Sequence, residues 1–470
     1  VSDGGFRVAR PGGRLAIDPG VVVKLGNSRI EGLRGSSNLI AEGLPGLPVV
    51  FTSIKDDRYG NGGTFDTAND GFNTVSTNTP KFGDWGGLGF QLNSSLSLDQ
   101  AYVAYAGGET PVEGGSGSFN AIELHEANGR IANTTFERNA NGRSNSGPDT
   151  KRSDRESNDS AVIFVRGAQP VIVNNVFLDN QGATISIDAN SLKTVLVADQ
   201  GRSTGANNAF RQFDNNQGPL VRLNRLTNDA SVTGGTLGMN VRAESLDSET
   251  VWDDTDIVHV LRGTIRNDFF HTAGGLTLQS APNASLVVKL QDTGAIGAGF
   301  EIGTSNGGLL EIIDRIGGSM QIVGTPGFPV ILTSLKDDTV GASLDPFGFP
   351  HTDTNGDGAA STPLPGDWDH ILFDKYANDT NMSVVREFEN GANTLDINRT
   401  AASSQLLGDL APNLKSSNET RRAGFEVHGT ISEAAPSDVD VYKFTADPGT
   451  EVWLDLDKTD PSLDSILELI

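Results

Sequence analysis

The chain has 470 residues, a formal net charge of −25 and a pI of about 4.5. That length is too great for one ordinary core unless the fold grows by repetition, and the acidity disfavours nucleic acid and anionic membranes as partners. The absence of cysteine excludes disulfides and thiolate metal sites, and no apolar stretch approaches the roughly 20 residues of a membrane span, so we expect no membrane insertion.

The first predicted elements are short strands rich in Val, Ile and Leu and separated by turns. They are residues 15–17, 21–25 and 48–57, and the last of these reads PVVFTSIKDD. An acidic loop at 66–71 (DTANDG) follows, and the chain then reaches Gly83-Asp84-Trp85. Apolar runs this short are typical of strands rather than helices, so the sequence predicts an all-β protein.

A corner motif recurs in the middle of the chain. Residues 131–139 read I-x-N-x-x-F-x-x-N, residues 172–180 repeat that frame, and residues 265–270 keep its Ile, Asn and Phe. Stacked Ile and Phe inside a coil, with Asn at corners bonding to the backbone of the next coil, would produce this pattern. The sequence therefore predicts a parallel β-helix, a solenoid. The 41 residues from Asn133 to Asn174 are interpreted as two coils of roughly 20 residues.

The second half of the predicted solenoid repeats the first. Residues 276–278 and 286–290 resemble 15–17 and 21–25, and residues 329–338 (PVILTSLKDD) match 48–57. A second acidic loop at 353–358 (DTNGDG) then leads to Gly366-Asp367-Trp368. We expect two related halves, each with a long acidic insertion leaving one side.

These duplicated motifs resemble those of a known family. The succession P-V-[VI]-[FL]-T-S-[IL]-K-D-D, D-T-x-x-D-G and G-D-W is similar to the right-handed β-helix modules of very large secreted bacterial proteins of the planctomycete type. The resemblance covers roughly residues 10–380. It implies a right-handed parallel β-helix that is extracellular or at the bacterial cell surface. The family has no agreed biochemical activity, so the resemblance implies no catalytic residue.

The character of the sequence changes near its end. Residues 388–422 are polar and are predicted to be a linker, and residues 423–470 alternate apolar and polar positions in the manner of short antiparallel strands. The signature D-x-D-x-Y-x-F at 438–444 resembles the bacterial pre-peptidase C-terminal domain, a small β-sandwich whose remaining strands are not in this chain. We expect a β-helix over 1–387, a linker, and an incomplete sandwich over 423–470, cut at both ends from a larger polypeptide.

The acidic loops are the predicted metal sites. Asp353, Asn355 and Asp357 have the spacing of the first half of a calcium loop, in which alternate oxygens converge on a hard cation. Leu364 stands where an EF-hand has its bidentate Glu, so Asp367, or Asp337 and Asp338, would complete the Ca²⁺ shell. The first loop offers Asp66 and Asp70. The alternative is a turn-rich insertion capped by Asp side chains.

The function that this organisation favours is a non-catalytic extracellular module, a calcium-stabilised scaffold or adhesion element that meets extracellular polysaccharide or cell-surface components. Duplication of the Lys-Asp-Asp clusters favours a structural role, because an enzyme needs one active groove. For the same reason Trp85 and Trp368 are predicted to pack under the insertions. His259 lies in a predicted strand, and the six histidines show no metal-ligand spacing, so His259 is predicted to be a packed or corner residue. A third possibility is glycan binding without cleavage, which only exposed aromatic residues on one face would favour over the scaffold.

The alternative function is a polysaccharide lyase or glycoside hydrolase acting in a groove of the β-helix. It requires one unduplicated patch of Asp, Arg or Lys facing outward on a parallel sheet, and residues 159–270 have no second copy. The candidates there are Asp188, Arg211, Asp214, Arg222 and Arg225.

Overall fold

The computed structural model describes the chain in segments. They are residues 6–8, 12–60, 63–71, 78–143, 152, 156–205, 210–213, 216–229, 232, 235–268, 275–291, 297–303, 318–373, 377, 382–386, 398–412, 421–422, 424–428, 439–452, 454, 466 and 468–469. Within these segments the protein is all-β, with two short 3₁₀ turns at Ala189–Ser191 and Arg211–Phe213. No helix among them is long and apolar enough to cross a membrane.

The strands are short, as the turn-rich sequence predicts. They are β1 (Phe6–Val8), β2 (Arg14–Ile17), β3 (Val22–Leu25), β4 (Ile30–Gly32), β5 (Asn38–Glu42), β6 (Val49–Ser53), β7 (Leu88–Phe90), β8 (Ser95–Asp99), β9 (Ala101–Ala104), β10 (Glu109–Val112), β11 (Gly115–Ser118), β12 (Ile122–His125), β13 (Asn128–Ala132), β14 (Thr135–Glu137), β15 (Ala161–Arg166), β16 (Val171–Val173), β17 (Val176–Leu178), β18 (Ala183–Asp188), β19 (Leu220–Arg222), β20 (Arg225–Thr227), β21 (Thr236–Arg242), β22 (Thr250–Trp252), β23 (His259–Leu261), β24 (Thr264–Asn267), β25 (Gly275–Gln279), β26 (Val287–Leu290), β27 (Gly299–Ile302), β28 (Ser319–Val323), β29 (Ile331–Ser334), β30 (Ile371–Phe373), β31 (Met382–Arg386), β32 (Gln405–Asp409), β33 (Gly424–His428) and β34 (Tyr442–Thr445).

Most strands belong to long parallel sheets that the chain visits in turn. Sheet A has ten strands, in the order β1-β4-β7-β12-β15-β18-β21-β23-β26-β29. Sheet B is β19-β16-β13-β8-β5-β2, and sheet C is β20-β17-β14-β9-β6-β3. From β2 to β21 the strands of these sheets follow the order B, C, A, and each such passage is one coil. This topology is compatible with a parallel β-helix.

Apolar side chains stack from coil to coil inside the three sheets. One cluster of buried residues extends from Leu25 to Met320. Phe136 lies on Phe177 with ring centroids 4.9 Å apart and planes 8° from parallel, an offset arrangement that adds to the hydrophobic effect. Trp85 is fully buried and its Nε1 donates to Ala104 O at 2.8 Å, which confirms the predicted packing role.

Asparagines join successive coils at the corners, as the repeated motif predicts. Asn139 N donates to Asn180 Oδ1 at 3.0 Å, and Asn180 N donates in turn to Asn228 Oδ1 at 3.0 Å. Asn180 Nδ2 also donates to Phe136 O at 2.9 Å. Asn175 and Asn224 repeat this geometry at another corner. These side chains satisfy backbone groups that the turns leave unpaired inside the protein.

The interpretation of the 41-residue offset as two coils is wrong. Ile131 pairs directly with Ile172, so the two motif copies lie on adjacent coils. The number of residues in a coil varies widely. The coil from Arg14 to its partner Asn38 is short, whereas the next coil, from Asn38 to its partner Ser95, is more than twice as long. The strands set the stacking, and each coil can carry an insertion without disturbing it.

The duplicated half is shifted by one face relative to the first. In the first copy, the strand Val22–Leu25 and its partner Val49–Ser53 lie in sheet C. Their sequence counterparts, β26 and β29, pair in the same way but lie in sheet A. Sheet A therefore joins the two halves, and its last strands correspond in sequence to sheet C of the first half.

An insertion between β18 and β19 covers the outer face of sheet B. Asp199 receives hydrogen bonds from Arg130 Nε and Nη2 at 2.7 and 3.0 Å, and Arg130 also binds Asp99. Burial opposes ionisation of Asp199, but Arg130 and two backbone N–H groups outweigh it and lower the pKa of this carboxyl. The insertion is thus fixed to the sheet by a buried ion-pair network.

The C-terminal piece differs from its expected pairing. Strand β33 pairs in parallel with β31, and β34 pairs in parallel with β32, whereas antiparallel strands were predicted. Strand β32 lies inside the segment predicted to be a linker. Alternating apolar residues identify strands, but they do not determine the direction of pairing.

We expect Asn180→Ala to lower the free energy of unfolding by about 2–4 kcal/mol, because it leaves the buried Asn139 N–H without its partner and removes the hydrogen bonds of Asn180 with Asn139 Nδ2 and Phe136 O. Asn128→Ala, at an exposed strand position, is the matched control and should change it by less than about 0.5 kcal/mol. Urea denaturation of both variants measures the difference. Equal stabilities would contradict a structural role for the asparagine corners.

Candidate functional site

The second acidic loop brings three carboxylates together. Single oxygens of Asp338, Asp353 and Asp357 all lie within 4.8 Å of one another. Asp338 follows β29, and the other two come from the predicted loop. No other group of three potential metal-ligating His, Asp or Glu side chains occurs within the described segments.

Local turn geometry holds the two loop carboxylates in place. Asp353 Oδ1 accepts from Gly356 N at 2.8 Å and Oδ2 accepts from Gly358 N at 2.8 Å. Gly358 has φ of +67°, a conformation that costs glycine little. Asn355 Nδ2 donates to Asp357 Oδ2 at 2.9 Å. The loop is therefore shaped before any ligand binds.

The first loop repeats this turn. Asp66 Oδ1 accepts from Asp70 N at 3.1 Å and Oδ2 accepts from Gly71 N at 2.9 Å. Asp66 thus caps its loop as Asp353 does. This is the structural role expected if the loop is a turn-rich insertion capped by Asp side chains. Within the described part of the chain, Asp66 and Asp70 join no three-carboxylate group.

Asp338 is the electrostatically distinctive member of the cluster. Its Oδ1 is shielded from solvent and has no hydrogen-bond partner. Burial raises the pKa of Asp338, the charge of Asp353 raises it further, and Lys289 partly offsets both effects. Lys289 is fully buried, and its Nζ donates to Thr352 O at 2.7 Å. Burial lowers the pKa of Lys289 despite the nearby carboxylates.

Asp367 does not join the cluster, because its oxygens are engaged elsewhere. They accept from Lys336 Nζ at 2.8 Å, from Ser334 Oγ at 2.7 Å and from Leu364 N at 2.8 Å. The ammonium group of Lys336 and the backbone N–H of Leu364 lower the pKa of Asp367 to about 2. Asp84 makes the equivalent bond to Ser53 Oγ, at 2.6 Å. This contact is a duplicated structural feature.

The cluster fits a hard cation in its chemistry. Calcium takes six to eight oxygen ligands, and Asp338, Asp353 and Asp357 offer carboxylates with an unpartnered Oδ1 among them. Asn355 Oδ1 is likewise shielded and without a partner. A bound Ca²⁺ would neutralise three like charges that Lys289 offsets only in part, with water filling the remaining positions.

The candidates for an enzyme groove are not brought together. Asp188 lies in sheet A, Arg222 in sheet B and Arg225 in sheet C. Arg222 is held by Thr255 Oγ1 and Asp253 O, and Arg211 belongs to a 3₁₀ turn. Asp214 lies outside the described residues.

His259 is fully buried and stacks on Trp252 with ring centroids 5.3 Å apart, which confirms that it is a packed residue. Burial lowers the pKa of His259 to about 3.

A cavity of about 470 Å³ opens on the outer face of sheet A, and no sequence motif marks it. Its lining includes Arg143, Asp159, Arg242 and Arg262. These residues come from different coils, so no sequence spacing connects them. The available signal was the alternation in Thr236–Arg242, where Met239 and Val241 join the core and Asn240 and Arg242 face outward.

Comparison with known proteins found no matching family model, no matching curated protein and no matching solved structure.

We expect calcium at 100 times its dissociation constant to stabilise the protein by about 2.7 kcal/mol, seen as a rise in melting temperature over the chelated sample. Asp338→Asn should abolish this rise, because it removes the charge of the unpartnered carboxylate with almost no change in volume. Asp70→Asn, at the position in the first loop that corresponds to Asp357, is the control and should retain it. A full calcium response in Asp338→Asn would disprove the site.

Proposed function

We propose that the chain is a right-handed parallel β-helix module of a large secreted or surface-attached bacterial protein, and that it serves as a non-catalytic, calcium-stabilised scaffold and adhesion element. The observation that carries this proposal is sheet A, whose ten strands run through both duplicated halves. Right-handedness follows from the strong preference of parallel crossovers for that hand.

A continuous parallel sheet gives the module the mechanical character of a rod. Ten strands at about 4.8 Å spacing span about 43 Å. Each coil is supported by its neighbours through backbone ladders, stacked side chains and asparagine corners, so stiffness accumulates along the axis. A stiff spacer of this kind suits the display or separation of other domains in a larger polypeptide.

The charge supports a location outside the cell. A net charge of −25 keeps the rod soluble and separate from other copies of itself. The carboxylate cluster of Asp338, Asp353 and Asp357 would be filled in a calcium-rich medium. The lack of cysteine leaves calcium and repetition, rather than disulfides, to stabilise the module.

Catalysis is the less favoured function. Three of the candidate residues for a lyase or hydrolase, Asp188, Arg222 and Arg225, lie on three different sheets, whereas either reaction needs its acid, base and binding groups around one bond. The duplicated Asp residues have local structural partners: Thr52 Oγ1 donates to Asp56, and Thr333 Oγ1 donates to Asp337. Equivalent bonds in both halves are expected of structural groups.

A pre-peptidase C-terminal sandwich remains part of the proposal through its signature at 438–444 alone. The described strands of this piece, β33 and β34, pair in parallel, and a sandwich of that family would require antiparallel partners.

We expect no cleavage of any glycan in a panel that includes uronate-rich, sulfated and neutral polysaccharides, with and without calcium. Reducing ends report hydrolysis, and the ultraviolet absorbance of unsaturated uronates reports lyase activity. A polysaccharide lyase treated in parallel is the positive control. Calcium-dependent product above the heat-denatured sample, from any member of the panel, would replace the scaffold with the enzyme.

A further inference from the structure

The cavity on sheet A stands out because it is basic on an acidic protein. Three arginines, Arg143, Arg242 and Arg262, line it together with one carboxylate, that of Asp159, whereas the whole chain carries a net charge of −25. Charges beyond about 8 Å are largely screened at physiological ionic strength. The local arginines therefore determine what the cavity attracts.

The cavity lies on the part of sheet A that the insertions leave open. Toward β12, Glu123 and His125 are buried under Arg152, whose Nη2 lies 2.6 Å from Glu123 Oε2. Toward β26, Val287 is buried with Leu335 and Ala342 of the second acidic insertion. Between these covered stretches, Asn240 and Arg242 of β21 face the cavity.

The guanidinium of Arg242 is a positively charged part of the cavity lining and is held in place by hydrogen bonds. Its Nη2 donates to Val165 O at 2.6 Å, and its Nη1 donates to Ser186 Oγ at 3.0 Å. The guanidinium also lies 4.4 Å from the centroid of Phe164, a stacking contact that arginine favours. Its carboxylate contact is a long one, 3.4 Å to Asp188 Oδ1. Burial lowers the pKa of Arg242.

Arg262 supplies free donors at the rim. It is exposed, and its one hydrogen bond within the described part of the chain runs from Nη2 to Thr236 Oγ1 at 2.8 Å. Asp159 affects it electrostatically but forms its direct ion pair with Arg143, at 2.9 Å. A guanidinium has five N–H donors in a planar fork that matches a carboxylate, and four of those on Arg262 are uncommitted.

The remaining lining suits hydroxyl groups. Ser160, Thr236 and Asn240 line the cavity. Hydroxyl and amide side chains of this kind both donate to and accept from ligand hydroxyls. The volume of about 470 Å³ is in the range of small-ligand sites. A ligand with one carboxylate and several hydroxyls satisfies both kinds of group.

We propose that this cavity binds an acidic sugar, with the sugar carboxylate between Arg262 and Arg242 and its hydroxyls on Ser160, Thr236 and Asn240. The proposal rests on the proposed adhesive function and names the chemistry that the module would hold. The sugar would be one unit of an extracellular acidic polysaccharide, bound without cleavage. Arginines and polar side chains, rather than exposed aromatic residues, would hold it.

The test is titration calorimetry with three probes: trigalacturonic acid, a neutral galactose trimer and a triglutamate peptide. We expect the acidic sugar to bind with a dissociation constant below about 1 mM, and both other probes to bind at least ten times more weakly. Arg262→Gln should weaken acidic-sugar binding about tenfold, the loss typical of a charged hydrogen bond. The melting temperature of each variant shows whether it folds.

The matched control is Arg266→Gln, which removes an arginine on β24 that is 39% exposed and paired with Glu301 outside the cavity. It should bind the acidic sugar with unchanged affinity. Absent binding at 1 mM, equal binding of the neutral trimer or the peptide, or equal affinity in Arg262→Gln would each overturn the proposal. None of these results bears on cleavage, so the scaffold function is tested separately by the glycan panel.

Discussion

The structure depends on hydrogen bonding between successive coils. Short strands of three to seven residues are marginal as isolated elements, and those inside the long sheets become stable because each is paired on both sides in a parallel ladder. The asparagine corners extend the same rule to turns, where Asn180 bonds to backbone groups of the preceding coil and its own N–H donates to Asn228. Because each coil needs only its neighbours, the fold accepts insertions of very different lengths.

Those insertions determine which faces of the sheets are covered and which are open to a ligand. The segment after β18 covers sheet B through the network of Arg130 and Asp199, and the second acidic loop covers the end of sheet A over Lys289. The sheet A cavity lies between covered regions, so a fold built by repetition acquires one surface without a duplicate. The carboxylate cluster of Asp338, Asp353 and Asp357 and the arginine cavity have opposite charge. The first half repeats the turn of the acidic loop, but its described residues form no three-carboxylate group.

The core and corner positions of the coils could be predicted from the sequence. The frame I-x-N-x-x-F-x-x-N predicted core and corner residues, because inward stacking and asparagine bonding act at fixed positions within a coil. Coil length was not predictable, because the ladder that joins Ile131 to Ile172 does not limit the number of residues between its strands. The shift of the second half by one face was also not predictable, because similar strand sequences do not determine which sheet each strand joins. Asp353 and Asp357 were found by spacing, but Arg143, Arg242 and Arg262 have no common spacing.

Continuity of sheet A between the two halves is the central claim. Hydrogen exchange followed by mass spectrometry tests it at the junction formed by β21, β23 and β26. These strands pair in succession, so the account predicts that their amides are strongly protected and lose protection together as denaturant is added. Loss of protection in β26 at a denaturant concentration that leaves β21 intact would show two independent halves and contradict a single continuous sheet.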